Sequence, residues 1–217
     1  MAFSYFFLED SENLLYPIYS IDGLRYGTIS EAKFERRFLS AHVTTALDAA
    51  TTSPETGSLH EVEIVVPFEK NSDPVSLGGW VWLDEEGIEE LGDDKWQQRL
   101  GELQVGGERR YGFGRMRIKG DFTETQNIPD GYHIISGHPR PQIRVAAGRP
   151  LLAHTLVEDN VKISGMIEPV VGRETQDGSN RFGSNLTKAN VCWTPGSVAD
   201  ESYTFQIRPD GLWEIIV

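Results

Sequence analysis

The chain has 217 residues, 39% of them hydrophobic and 24% charged, with a formal net charge of -13. A chain of this size buries about 70% of its unfolded surface on folding, so neither a disulfide framework nor a structural metal is required. The lone Cys192 has no cysteine partner and no metal-ligand spacing around it, which points to a reducing, cytoplasmic compartment and to no cofactor or metal.

The acidity is uneven. Residues 1–98 hold 6 Lys and Arg against 19 Asp and Glu, whereas residues 99–217 hold 14 against 14. A polyanion can therefore meet a locally basic surface while the acidic half repels it. No internal repeat or low-complexity tract interrupts the sequence.

In chain order, Phe3-Ser4-Tyr5-Phe6-Phe7-Leu8 has strand composition. It is too short to cross a bilayer and lacks the basic flank of a signal peptide, so no membrane partner is expected. Ser30 reads as an N-cap, with Ala32, Phe34, Phe38 and Leu39 following at helical spacing. Leu59 to Val66 alternates as a half-buried strand, and Trp80-Val81-Trp82-Leu83 reads as a short aromatic one. Asp84-Glu85-Glu86 opens an acidic helical stretch. Asp93 or Asp94 caps a second helix that carries Trp96, Leu100 and Leu103 and stops at Gly106-Gly107. Arg115-Met116-Arg117-Ile118-Lys119 alternates basic and apolar residues, the pattern of a strand with one wet, cationic face.

Past Gly120 the prolines at 129, 139, 141, 150, 169, 195 and 209 exclude long helices. Strand-like runs lie between them at Ile143–Val145, Val161–Ile163, Tyr203–Ile207 and Trp213–Val217. A soft boundary near 120–130 divides the chain into residues 1–121 and a β-rich lobe over 122–217, which can share one core.

The segment from Val105 to Ile118 is the most informative. Gly106, Gly107, Gly112 and Gly114 allow left-handed backbone and close approach of a ligand. Arg109, Arg110, Arg115 and Arg117 can fork onto phosphate oxygens, and Tyr111 or Phe113 offers a ring for an unpaired base. A Walker loop fails because Phe113 and Gly114 follow Gly112 where Lys and Ser or Thr are required. A dinucleotide fingerprint starting at Gly112 fails because Arg117 stands at its third glycine. The plain alternative is a glycine-rich turn whose arginines are merely solvated.

This segment resembles the glycine-rich loop of the RAMP superfamily of CRISPR-associated proteins, where it follows a short helix. Upstream, Ala41-His42-Val43-Thr44-Thr45-Ala46-Leu47-Asp48 and the turn leading to Gly57-Ser58-Leu59-His60 resemble the family's apolar-Asp element and its "Gly-x-Leu-Tyr" motif. A third stretch, from Gly165 to Glu174, is similar to the later lobe of larger members. Ala49 stands where the family has a basic residue, and His60 where it has tyrosine.

The resemblance implies an α+β, ferredoxin-like (RRM-like) RAMP fold with a β-rich C-terminal lobe. It also implies a role like that of the subunit capping the 5′ handle of guide RNA in type III effector complexes of antiviral defence. The partners implied are guide RNA, other RAMP subunits and a large signalling subunit.

Some RAMP proteins are endoribonucleases that drive attack of a 2′-hydroxyl on the adjacent phosphate by general acid and base. Of His42, His60, His133, His138 and His154, the pair His133 and His138 is the strongest of a weak set. Asp48 is expected to be a turn or helix-end carboxylate. The favoured expectation is a non-catalytic RNA-binding subunit, with the metal-independent nuclease second. The remaining alternative is a β-rich interaction scaffold whose Trp80, Trp82, Trp193 and Trp213 line a protein interface; core packing accounts for most of these tryptophans equally well.

Overall fold

The computed structural model describes residues 2–11, 13–48, 50–54, 56–83, 95–101, 103–125, 128–135, 137–159, 161–174 and 183–216. The expected acidic helix at 84–86 and the Asp93 or Asp94 cap fall outside these residues. The chain is a β-rich α+β protein that divides into two compact units. One is Phe7–Gly78 and the other combines Met1–Phe6 with Gly79–Val217. This division differs from the 121/122 boundary suggested by composition, because strand pairing, not proline content, decides which segments pack together.

The apolar run at the start shows how. It is not one strand: Ala2–Phe3 forms β1 and Phe7–Asp10 forms β2. The Ser4 hydroxyl interrupts the run by accepting the Trp80 amide at 2.7 Å.

In the Phe7–Gly78 unit, β2 is followed by β3 (Asn13–Leu14), β4 (Pro17–Ser20), β5 (Gly23–Tyr26) and β6 (Ile29–Ser30). Helix α1 (Glu31–Phe38) comes next, then β7 (Leu39–Thr44), β8 (His60–Val65) and β9 (Leu77–Gly78). The strands are divided among three small sheets, β3-β2-β9, β4-β5-β6 and β7-β8.

Ser30 holds the N-cap position as expected, though its side chain makes no capping bond. Helix α1 turns Phe34 and Phe38 into a core with Leu8, Leu15 and Ile29. Tyr26 stacks on Phe34 with ring centroids 3.7 Å apart. Phe38 is fully buried, so truncating it to Ala costs about 3–5 kcal/mol. Arg37, one position before it in the helix, binds Glu69 through two nitrogens at 2.6 and 2.8 Å and Asp10 at 2.8 Å. That fork ties the helix to β2 and to the loop after β8.

In the second unit β10 (Val81–Trp82) pairs with β1. The aromatic strand expected over 80–83 is therefore two residues long. Helix α2 spans Lys95–Leu100 and ends where the Gly101 amide bonds Gln97. Leu103 lies beyond it, so the expected stop at Gly106-Gly107 came too late.

The remaining strands are β11 (Tyr132–Ile135), β12 (Gln142–Val145), β13 (Thr155–Leu156), β14 (Ile163–Ser164), β15 (Ile167–Glu174) and β16 (Asn185–Trp193). They are completed by β17 (Val198–Ala199), β18 (Tyr203–Ile207) and β19 (Trp213–Ile216). Among the described residues seven of these form one sheet in the order β11-β12-β18-β19-β13-β16-β15. Every pairing in it is antiparallel except β13 with β19. Its core face carries Tyr132, Ile143, Val145, Phe205, Ile207 and Trp213. Of the four tryptophans weighed for a core or an interface, Trp213 is core and Trp80, Trp82 and Trp193 are half-buried.

Candidate nucleic-acid interface

The glycine-rich segment folds as a tight antiparallel turn, not as a link from a helix into a strand. The Val105 amide bonds the Gly114 carbonyl at 2.9 Å and the Met116 amide bonds the Leu103 carbonyl at 2.9 Å. Gln104 and Arg115 form the bridge between the two sides. At the tip, Arg109–Tyr111 makes one turn of 3-10 helix, entered through Glu108 at φ 50° and left through Gly112 at φ 92°. Past Met116 the backbone leaves the ladder. The alternating strand expected over Arg115–Lys119 is not formed, because among the described residues its backbone ladder ends with the Arg115 bridge and the Met116 amide.

The glycines differ in what they do. Gly106 (φ 82°), Gly112 (φ 92°) and Gly114 (φ 72°) occupy left-handed backbone. Gly114 also faces the Val105 carbonyl, 1.7 Å from where a Cβ would stand. Gly107 has neither constraint, with open space around it. The Gly112 amide is taken up by the Arg109 carbonyl at 3.0 Å, whereas the amides of Gly106 and Gly107 make no hydrogen bond among the described residues.

Gln104 is the residue that pattern reading passed over. Its side-chain amide donates to the Arg109 carbonyl at 2.9 Å and to the Phe113 carbonyl at 2.8 Å. One planar amide thus clamps both ends of the tip. A polar residue between apolar neighbours carried no signal of this in the sequence.

The cationic side chains point to water. Arg109, Arg110, Arg115 and Arg117 are exposed, and Tyr111 is 81% exposed. Phe113 is half-buried. Among the described residues no carboxylate pairs with any of the four arginines. The arrangement presents forked donors and one open ring on and just beyond a hydrogen-bonded turn, which suits phosphates and an unstacked base.

The other candidates are dispersed. The Asp48 carboxylate accepts the amides of Ala50 and Thr51 and the Thr51 hydroxyl. These bonds hold it below the usual carboxylate range and fill the turn role expected of it. His42 and His60 lie on the β7–β8 ribbon, where the Thr44 hydroxyl is 2.8 Å from His60 Nε2. His133 is exposed on β11 and His138 in the turn that follows.

His154 is the histidine with geometry, and sequence reading ranked it low. Its Nδ1 lies 2.7 Å from the Tyr5 hydroxyl and its Nε2 lies 2.5 Å from Glu168 Oε1. With Nε2 donating to the carboxylate, Nδ1 accepts from the phenol. Burial raises the Tyr5 phenol above its ordinary pKa. Among the described residues no three His, Cys, Asp or Glu side chains cluster as metal ligands. No helix of these residues is long and apolar enough to cross a membrane.

Comparison with known proteins adds a fold-level likeness. No protein-family model and no curated protein matches the chain. Among solved structures, a chain in the cryo-EM structure of the type III-B Cmr-beta bound to cognate target RNA aligns with a TM-score of 0.52 at 11% identity. The alignment covers 91% of the present chain and 64% of that one. The protein therefore spans less than two thirds of the length of its structural neighbour.

Proposed function

We propose that the protein is a subunit of a type III CRISPR effector complex that holds the 5′ region of guide RNA on its glycine-rich turn without cutting it. The observation that carries this reading is the tip itself. Arg109, Arg110 and Arg115 stand exposed, with no carboxylate partner among the described residues, on a turn whose backbone is held by Gly114 and Gln104, and Arg117 follows just beyond it. Solvated arginines alone need no such scaffold.

The likeness to a chain of an RNA-bound Cmr-beta assembly supports the same reading. So does the order of the RAMP-like motifs: the apolar-Asp element falls on β7 and its loop, the Leu-His motif leads into β8 at His60, and the glycine turn follows α2. A ferredoxin-like RAMP relationship and a cytoplasmic location belong to this proposal.

Membership of a complex has its own support. In the β15–β16 ribbon, Ile167 opposes Trp193, Pro169 opposes Val191 and Val171 opposes Ala189. These three pairs share one face. Ile167, Val191 and Val171 on it are 54%, 55% and 44% exposed. Such a face suits another RAMP subunit or a large signalling subunit.

The test is retention of guide RNA by the assembled complex. Replacing Arg109 and Arg110 by Ala releases the RNA or exposes its 5′ end to nuclease. Unchanged retention and protection overturn the proposal.

A further inference from the structure

Residues 131–157 contain His133, His138, Arg140, Arg144, Arg149 and His154 and no Asp or Glu, in a chain of formal net charge -13. The first part of this stretch, β11 and β12, builds the edge hairpin of the seven-stranded sheet. Its inner side carries Tyr132, Ile143 and Val145, exposed by only 4%, 3% and 0%. Strand alternation sends His133 and Arg144 to the outer side, where both are exposed.

His133 and Arg144 face each other directly, and Thr204 of β18 is the next residue in that row. Ile135, Gln142 and Gln206 form the adjacent row. His138 and Arg140 are exposed in the turn that closes the hairpin. At the other end the exposed Arg149 lies along the backbone of Gly131, whose added Cβ would stand 2.6 Å from Arg149 Nε.

None of Arg140, Arg144 and Arg149 pairs with a carboxylate among the described residues. Glu214 of β19 extends the Gln142–Gln206 row and lies 3.9 Å from Arg208. Asp130 and Glu158 bound the stretch in sequence. The guanidinium groups of Arg140, Arg144 and Arg149 thus offer forked donors to an anion, with a hydrogen-bonding imidazole opposite Arg144.

We propose that the outer face of β11–β12 is a second RNA-binding surface that takes the phosphodiester backbone of a single strand. Arg144 and Arg140 hold phosphates, His133 and Gln142 donate hydrogen bonds, and Arg149 extends the track. The inference rests on the RNA-binding reading of the glycine-rich turn, which lies in the same compact unit.

Positions two apart on a strand repeat at about 6.7 Å, the scale of successive phosphates in an extended ribonucleotide chain. The two rows carry no Phe, Tyr or Trp. Contact is therefore with the backbone and indifferent to base sequence. An acidic protein fits less well, because these rows offer none of the large aromatic anchors around which protein interfaces are organised.

The experiment titrates an unstructured, labelled oligoribonucleotide onto the full-length chain across a range of KCl. Arg140→Ala with Arg144→Ala weakens binding roughly tenfold near 0.1 M salt and lowers the log–log salt slope by about 1.4. Arg144→Lys, which keeps the charge, keeps the slope. Adding Arg109→Ala and Arg110→Ala multiplies the losses.

Wild-type affinity and slope in the Arg140 and Arg144 variant, with binding weakened by the Arg109 and Arg110 pair, overturn the second surface and leave the turn intact. Unchanged RNA binding together with lost binding to another subunit overturns it in favour of an acidic protein partner. A wild-type chain with no measurable RNA affinity overturns this surface and the turn together.

Discussion

The carbonyl oxygen of Val105 occupies the place that a side chain on Gly114 would need, 1.7 Å from the position of its Cβ. The two residues are also joined by the Val105 amide and the Gly114 carbonyl at 2.9 Å. The basic turn thus closes only with glycine at that position.

Replacing Gly114 by Ala opens the turn, since the left-handed φ of 72° adds strain of about 1–3 kcal/mol to the clash. Hydrogen exchange at the Val105 amide speeds up, and RNA affinity falls with it. Gly107→Ala, where the Cβ meets open space, leaves both unchanged. Equal behaviour of the two variants would remove the basis for treating the turn as a fixed cradle.

Gln104→Leu deletes the donors to the Arg109 and Phe113 carbonyls. The loss is about 1–2 kcal/mol of local stability. The arginines remain, so RNA binding weakens several-fold while its salt slope stays that of the wild type. A changed slope would mean that Gln104 itself meets phosphate.

Together with the Asp48 turn, Arg37 shapes the acid limb of stability in the Phe7–Gly78 unit. Its hydrogen bonds hold the carboxyls of Asp10 and Glu69 below their usual values. Carboxyls depressed in the folded state stabilise it above their unfolded pKa values of about 4, and that contribution disappears as pH falls through the lowered folded values. Arg37→Met costs about 1–2 kcal/mol at neutral pH, discounted for partial exposure, and flattens this acid dependence. Thermal melts from pH 7 to pH 2 read both effects.

On the alkaline side the phenols report. Tyr16 is pushed up to about 12 by burial, and Tyr5 is raised chiefly by burial. Phenols raised in the folded state leave stability unchanged below about pH 10 and erode it above, because the unfolded chain loses its protons first. Ultraviolet titration shows phenols ionising late, with one fewer of them in Tyr5→Phe. That variant also frees His154 Nδ1, at a cost of about 1 kcal/mol.

Much of the second half could be read directly. Tyr203–Ile207 and the run from Ile143 to Val145 alternate cleanly, and both lie within the seven-stranded sheet. Helix α1 was announced by Ser30 and by the spacing of Phe34 and Phe38. The misreadings share a cause. Phe3–Leu8 has strand composition and Arg115–Lys119 strand periodicity, yet a strand also needs a partner, and partnership is a tertiary fact. Ser4 breaks the first run against Trp80, and the second loses its partner past Met116. The site's charges and glycines were visible as residues. The clamp at Gln104 and the chain from Tyr5 through His154 to Glu168 were not, because each joins residues whose spacing has no period.

The most direct measurement is photo-crosslinking of a guide RNA carrying a photoreactive base near its 5′ end, followed by mapping of the attached peptide. Attachment is expected within Arg109–Arg115, centred on the exposed ring of Tyr111, and is lost in Tyr111→Ala. RNA that binds and crosslinks only to other segments, with the Tyr111 variant unaffected, would contradict that expectation.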